Sequence, residues 1–148
     1  MTVTRLQLAT IAPHASDATL SALYALDADG QPHICRAMRE AGITRPEDVA
    51  QFIAVTSLAS NGFVNFATAD GAHILAQSPV DWLRDKAKDW YDLKMGDESR
   101  VWDWDCIVNH LGTRWAINGY DWPDTWDTLD RVCRVMNIEN EMEEFLPD

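Results

Sequence analysis

The chain has 148 residues, the length of one ordinary domain, enough to bury a hydrophobic core without disulfide or metal staples. It carries 24 acidic and 12 basic side chains, a formal net charge of −12, so phosphate backbones repel it and ordinary nucleic-acid binding is excluded. A hydrophobic fraction of 47% with 7 Trp excludes a disordered acidic tail, because disordered chains lack the aromatics that drive collapse.

The charge is uneven. Residues 1–74 hold 7 acids and 4 bases, whereas 75–148 hold 17 and 8, and all 7 Trp fall in the second part. Cys35, Cys106 and Cys133 are an odd set at no metal-like spacing, which points away from a disulfide framework and toward a reducing compartment. Arg5 interrupts the start of the chain and no apolar run suits a secretory signal, so a cytoplasmic location is expected. The longest uncharged stretch, residues 49–69, is too polar to span a bilayer, and no membrane association is expected.

In chain order, helix signals dominate. Asp17 is positioned to cap ATLSALYAL, a run broken by Asp29-Gly30. Pro32 suits a first helical turn ahead of Ile34, Ala37, Met38 and Ala41, with Gly42 as the stop. Thr44 and Glu47 have capping-box spacing around Pro46, and Val49, Phe52, Ile53 and Thr56 run on to Asn61-Gly62, a left-handed C-terminal stop; this helix is expected to be central. Ser78 and Asp81 repeat the cap pattern, with Pro79 first, before Trp82, Leu83, Ala87, Trp90, Tyr91 and Met95. A fifth helix is predicted over 99–111 and a sixth from Pro123 through Trp126, Leu129, Val132, Cys133 and Met136. The tail, about 139–148, is acidic. The fold class is therefore all-α, one compact domain over 1–148 with six to seven helices.

Metal chemistry is poorly supported. Cys106 and His110 are four apart, but no second pair has zinc spacing, and Asp103 and Asp105 diverge on a helix. His33 and Cys35, two apart, do not face each other as a base and nucleophile would. No Walker or dinucleotide glycine pattern is present, and no cofactor is expected. The interleaved Trp and acids of VWDWD and GYDWPDTWD suit a sugar surface, on which indoles stack and carboxylates accept hydroxyl hydrogen bonds; core packing is the commoner use of Trp at helical spacing. Trp104, Trp115 and Trp122 fit the apolar stripes least and are the binding candidates.

LQLATIAPHA at 6–15 and AMREAGITRPEDVAQFIAVTSLASNGF at 37–63 resemble the opening of family 19 glycoside hydrolases, the chitinase and phage endolysin group, whose helix reads Ala-x-Phe-Leu-Ala-Gln-x-Ala-His-Glu-Ser-Gly-Gly-Phe. Phe52, Ile53, Ala54, Ser60, Gly62 and Phe63 fit in register. SPVDWLRDKAKDWY and AINGYDWPDTWDTLDRVCRVM match more loosely, with Asn118, Gly119 and Tyr120 in an Ile-Asn-Gly-Gly-Tyr pattern that lacks one glycine. The resemblance implies a lysozyme-like helical fold. It also puts the catalytic Glu on Ala59 and the preceding His on Leu58.

A glycosidase needs one carboxyl group to protonate the leaving oxygen and a second to activate water or stabilise charge. The family's long segment carrying the second carboxylate has no counterpart between Phe66 and Ile74. The resemblance thus implies a shortened, catalytically inactive relative of phage or prophage origin, serving as a binding or inhibitory module with a protein partner. Asp70 and Asp103 are the carboxylates available as replacements. Two other readings compete. Asp81, Asp85, Asp89 and Asp92 would form a negative stripe on the fourth helix for a host basic protein or nuclease, against a solvated face containing Arg84, Lys86 and Lys88. Alternatively, Asn118, Tyr120 and exposed Trp residues would bind chitin or peptidoglycan fragments without turnover.

Overall fold

The computed structural model describes residues 3–70, 73–95 and 122–138, and side chains within 68–76, 91–95 and 122–126 are outside that description. The described elements are α1 (Arg5–Ile11), α2 (Asp17–Tyr24), α3 (His33–Glu40), α4 (Pro46–Ala59), β1 (Ala67–Asp70), β2 (His73–Ala76), α5 (Pro79–Met95) and α6 (Trp122–Met136). Among the described residues six helices form the body, in agreement with the all-α class. The helix predicted over 99–111 lies outside the described residues, as do Cys106 and the acidic tail.

Local chemistry explains where the helices begin, and corrects the sequence reading at three starts. Thr4 caps α1 with a complete capping box: its hydroxyl accepts from the Gln7 N–H, and the Gln7 side chain accepts from the Thr4 N–H. The cap of α2 is Ser16, accepting from the Thr19 N–H, and Asp17 stands in the first turn, where its charge suits the helix dipole. Pro32 is the N-cap of α3 rather than a first-turn residue. The Thr44–Glu47 box does not form, because Pro46 forces Arg45 into an extended conformation (φ −72°, ψ 145°), and Arg45 becomes the N-cap. At α5 the prediction holds: the Ser78 hydroxyl accepts from the Asp81 N–H at 3.1 Å.

Helix α2 ends at Tyr24, before the Asp29-Gly30 break, and the chain then turns back so that Leu26 bridges Pro32. This turn is held by charge. One Asp27 oxygen accepts from the backbone N–H groups of Asp29 and Gln31, and the other accepts from Arg36. Arg36 also pairs with Asp29 and Glu40, which ties the turn to α3. At the same end of α2, the Tyr24 hydroxyl donates to the Val3 carbonyl at 2.8 Å, and burial, with a smaller contribution from Cys35, pushes its pKa up.

The core runs through all six helices. Residues 48–57 of α4 are buried without exception, so over this stretch the helix has no solvent face and is central, as its apolar content led one to expect even though the expected cap is absent. It packs mainly on α6, whose Leu129, Val132, Cys133 and Met136 are buried, and burial pushes the Cys133 thiol up to about 11. Phe52 meets Trp90 of α5 edge to face, with centroids 5.7 Å apart. Trp82 and Trp90 are thus core residues; of the other five Trp, no side chain is described.

Between α4 and α5 lies a feature absent from the sequence reading, a two-stranded antiparallel hairpin pairing Ala67 with Ala76 through Asp70 with His73. Phe66, at its base, packs edge to face on Trp82 at 5.4 Å.

Two substitutions test this picture by equilibrium urea unfolding. Phe52→Ala is expected to cost about 3–5 kcal/mol, since the ring is buried at the α4–α5 contact. Gly62→Ala, at φ +76° with open space around its Cα, is expected to cost about 1 kcal/mol through backbone strain alone.

Candidate functional site

The site that the sequence points to is the C-terminal end of α4. Thr56 donates its hydroxyl hydrogen to the Phe52 carbonyl at 2.7 Å, and Ser60 donates to the Thr56 carbonyl at 2.7 Å while accepting from the Phe63 N–H at 2.8 Å. The chain then passes through three successive left-handed residues, Asn61 (φ 53°), Gly62 (φ 76°) and Phe63 (φ 59°). Such a φ is costly for phenylalanine. It is held because the ring is completely buried and because the Gly62, Val64 and Asn65 N–H groups bond back to Ser57 and Ser60 carbonyls.

Ala59 sits at the last turn of this helix, half-buried and packed against the core, with half-buried Leu58 beside it. Neither can transfer a proton. The hydroxyl of Ser60, the next residue, is committed at both its donor and acceptor sides to closing the helix.

Beyond the turn, Asn65 accepts from the Ala67 N–H at 3.0 Å and the hairpin begins at once. Because Asp70 pairs with His73, only residues 71 and 72 separate the strands. A long carboxylate-bearing segment has no place in so short a connection. Asp70 occupies the closed end of the hairpin, and its side chain is outside the described residues, as is Asp103 altogether.

The other predicted positions divide. On α5, Asp81 and Asp85 are exposed and Asp89 is half-buried, while the Asp92 side chain is outside the described residues. The stripe is not purely acidic: Arg84 and Lys88 are exposed among these acids. Lys86 points elsewhere, its Nζ 5.6 Å from the centre of the Trp82 ring. Trp104, Trp115, Asn118 and Tyr120 lie outside the described residues, and Trp122 opens α6 with its side chain undescribed. Among the described residues, no group of three or more His, Cys, Asp or Glu is arranged to hold a metal ion, and no helix is long and apolar enough to cross a membrane.

Besides the hairpin, a second feature escaped the sequence reading. Helices α3 and α5 enclose a groove of about 310 Å³ lined by Ala37, Glu40, Ala41, Arg84, Asp85, Ala87 and Lys88. Its signal is the run of small residues at helical spacing on α3, which reads from sequence as ordinary core.

No protein-family model matches the chain, and neither a curated protein nor a solved structure matches it.

The electrostatics of the α2–α3 turn give a pH prediction. Hydrogen bonds from the Gln31 backbone and from Arg36 hold the Asp27 carboxyl below its usual range. A depressed folded-state pKa stabilises the fold above the unfolded value of roughly 3.9 and loses that contribution as pH falls through the lower folded value. Asp27→Asn is therefore expected to be less stable than the parent at pH 6, with the gap narrowing below about pH 4, as read by urea unfolding across pH 2.5–7.

Proposed function

We propose that the chain is a non-catalytic binding domain on a scaffold resembling family 19 glycoside hydrolases, of phage or prophage origin, acting on a partner by occupancy rather than turnover. The observation that carries this reading is the end of α4. The position that matches the family's catalytic Glu is Ala59, in a helix end whose one neighbouring hydroxyl is fully used, and the hairpin that follows closes within two residues. Hydrolysis of a glycosidic bond requires two carboxyl groups on opposite sides of it, and this end of the molecule supplies neither in the described residues.

The alternative of a phosphate-mimicking acidic surface draws less support. Arg84 and Lys88 stand exposed among Asp81, Asp85 and Asp89, so the described part of α5 is a face of mixed sign. Retained recognition of chitin or peptidoglycan fragments through Asn118, Tyr120, Trp104, Trp115 and Trp122 is compatible with a binding role, and rests on their sequence pattern.

Incubation with peptidoglycan and with chitin oligomers is expected to release no soluble reducing sugar above a heat-killed control. Ala59→Glu is expected to release none either, because restoring one carboxyl still leaves no group to activate water. Sugar release by the parent chain would overturn the non-catalytic reading.

A further inference from the structure

We propose that Asn61-Gly62, just past α4, is a self-modification site: the Gly62 backbone nitrogen attacks the Asn61 side-chain amide when the turn opens, and the hydrogen bond from Gly62 to the Ser57 carbonyl limits how often that happens. The pair is there for a conformational reason. Asn61 (φ 53°) and Gly62 (φ 76°) both occupy the left-handed region, which asparagine and glycine tolerate better than other residues. The same two residues are a reactive sequence. Attack by the next backbone nitrogen on the asparagine carboxamide closes a five-membered ring, and glycine puts no side chain in the way. The electrophile is available, since Asn61 is exposed and its carboxamide makes no hydrogen bond among the described residues. A Cβ placed on Gly62 would meet nothing within 4 Å, which leaves room for water at the linkage.

The nucleophile is what the fold holds back. The Gly62 N–H donates to the Ser57 carbonyl at 2.7 Å, and the Val64 and Asn65 N–H groups donate to the Ser60 carbonyl at 3.0 and 2.8 Å, so the Gly62 nitrogen is free neither to lose its proton nor to swing toward Asn61 Cγ. The neighbouring Phe63 is strained at φ 59°, which puts this turn among the segments that open below the free energy of global unfolding. In the open turn, hydroxide takes the Gly62 proton, the nitrogen bonds to Asn61 Cγ, the Cγ–Nδ2 bond breaks, and ammonia leaves with a proton from water, which regenerates hydroxide. Water then opens the ring at the Cγ carbonyl, giving aspartate, or at the Asn61 main-chain carbonyl, giving isoaspartate. Either product carries a new carboxylate beside the C-terminal end of α4, where the helix dipole disfavours it, and isoaspartate lengthens the backbone by one carbon. Neither restores the closed turn in full, so conversion runs one way and loosens the packing of Phe63 on Phe66 and of Phe66 on Trp82. Two other asparagines give the contrast. Asn137 is also exposed and left-handed (φ 57°), but the branched Ile138 crowds the attacking nitrogen, and the Asn65 carboxamide oxygen accepts from the Ala67 N–H with bulky Phe66 following.

The inference rests on the turn alone and holds whether or not the chain cleaves sugars. The test incubates the full chain at neutral pH, folded and, separately, unfolded in guanidinium chloride, and follows the one-dalton gain at each asparagine by peptide mapping with fragment-ion spectra. The mapping also keeps the second such pair, Asn118-Gly119, apart from the first. Expected are conversion at Asn61 in both states, about ten- to a hundredfold slower in the folded chain, with isoaspartate among the products and no comparable gain at Asn65 or Asn137. Ser60→Ala removes the hydroxyl that accepts from the Phe63 N–H, and is expected to speed conversion several-fold in the folded chain while leaving the unfolded rate unchanged. Circular dichroism checks that this variant stays helical. Equal rates in the two states, no detectable conversion at Asn61 in the folded chain once the unfolded chain has converted fully, Asn65 or Asn137 converting as fast as Asn61, or an unchanged folded-state rate in Ser60→Ala would each overturn the proposal.

Discussion

Helix α4 is buried on every side over residues 48–57, and the arrangement of the other helices follows from the need to cover it. An amphipathic helix is covered by one layer, but a helix without a solvent face needs neighbours around its whole circumference. Here α6 supplies the broadest contact and α5 reaches it through the Phe52–Trp90 pair. Polar groups carried into that setting must be answered from within. Thr56 and Ser60 turn their hydroxyls back on α4's own carbonyls, and buried Asp48 is met by Arg45 at 3.1 Å. Gln51 leaves its side-chain oxygen without a hydrogen bond among the described residues, a cost the surrounding apolar contacts offset.

This constraint sets what the end of α4 can offer. A helix held rigidly by its core presents its last turn in one orientation, and the Ser60 hydrogen bonds with the left-handed passage through Asn61, Gly62 and Phe63 fix how the chain leaves it. The strain at Phe63 is balanced by a fully buried ring that also touches Phe66, with centroids 6.4 Å apart. Phe66 in turn packs on Trp82, so the turn, the hairpin base and α5 form one aromatic chain. The end of α4 is therefore well ordered around the Ala59 methyl group.

Legibility in the sequence followed the physics of each element. The buried faces of α3, α5 and α6 were readable because each alternates apolar and polar residues at helical period, and the stops at Gly42 and Asn61-Gly62 were readable because only a few residues tolerate positive φ. All-round burial in α4 leaves no such stripe: Ala50, Ala54 and Val55 are as enclosed as the periodic Val49, Phe52 and Ile53. The Thr44 cap failed because a proline two positions on decides which residue is extended, a local constraint that outweighs a matching motif. The hairpin was hidden by its composition, since ATAD and HILA are short and carry little β-preference. Ala59 was visible only through a family pattern. The α3–α5 groove was not visible at all, because a cavity is made by what two helices lack where they meet, and their alanines are separated by more than forty residues of chain.

The two sites differ in what chemistry their settings allow, and the difference points the same way for both. A carboxyl group that donates a proton to a leaving oxygen works best sheltered from water and aimed at the bond to be broken. Glu40 and Asp85 are exposed, and each already accepts a hydrogen bond from Arg36 or Gln77, so neither has the sheltered setting that such an acid uses. The net charge of −12 repels anions at a distance, but at physiological ionic strength that field fades within about 8 Å, and inside that range the α3–α5 groove presents Arg84 and Lys88 together with Glu40 and Asp85, a lining of balanced sign. Among the described residues most bases serve the fold: Arg36, Arg45 and Arg134 pair with carboxylates, and the Lys86 ammonium stands over the Trp82 ring.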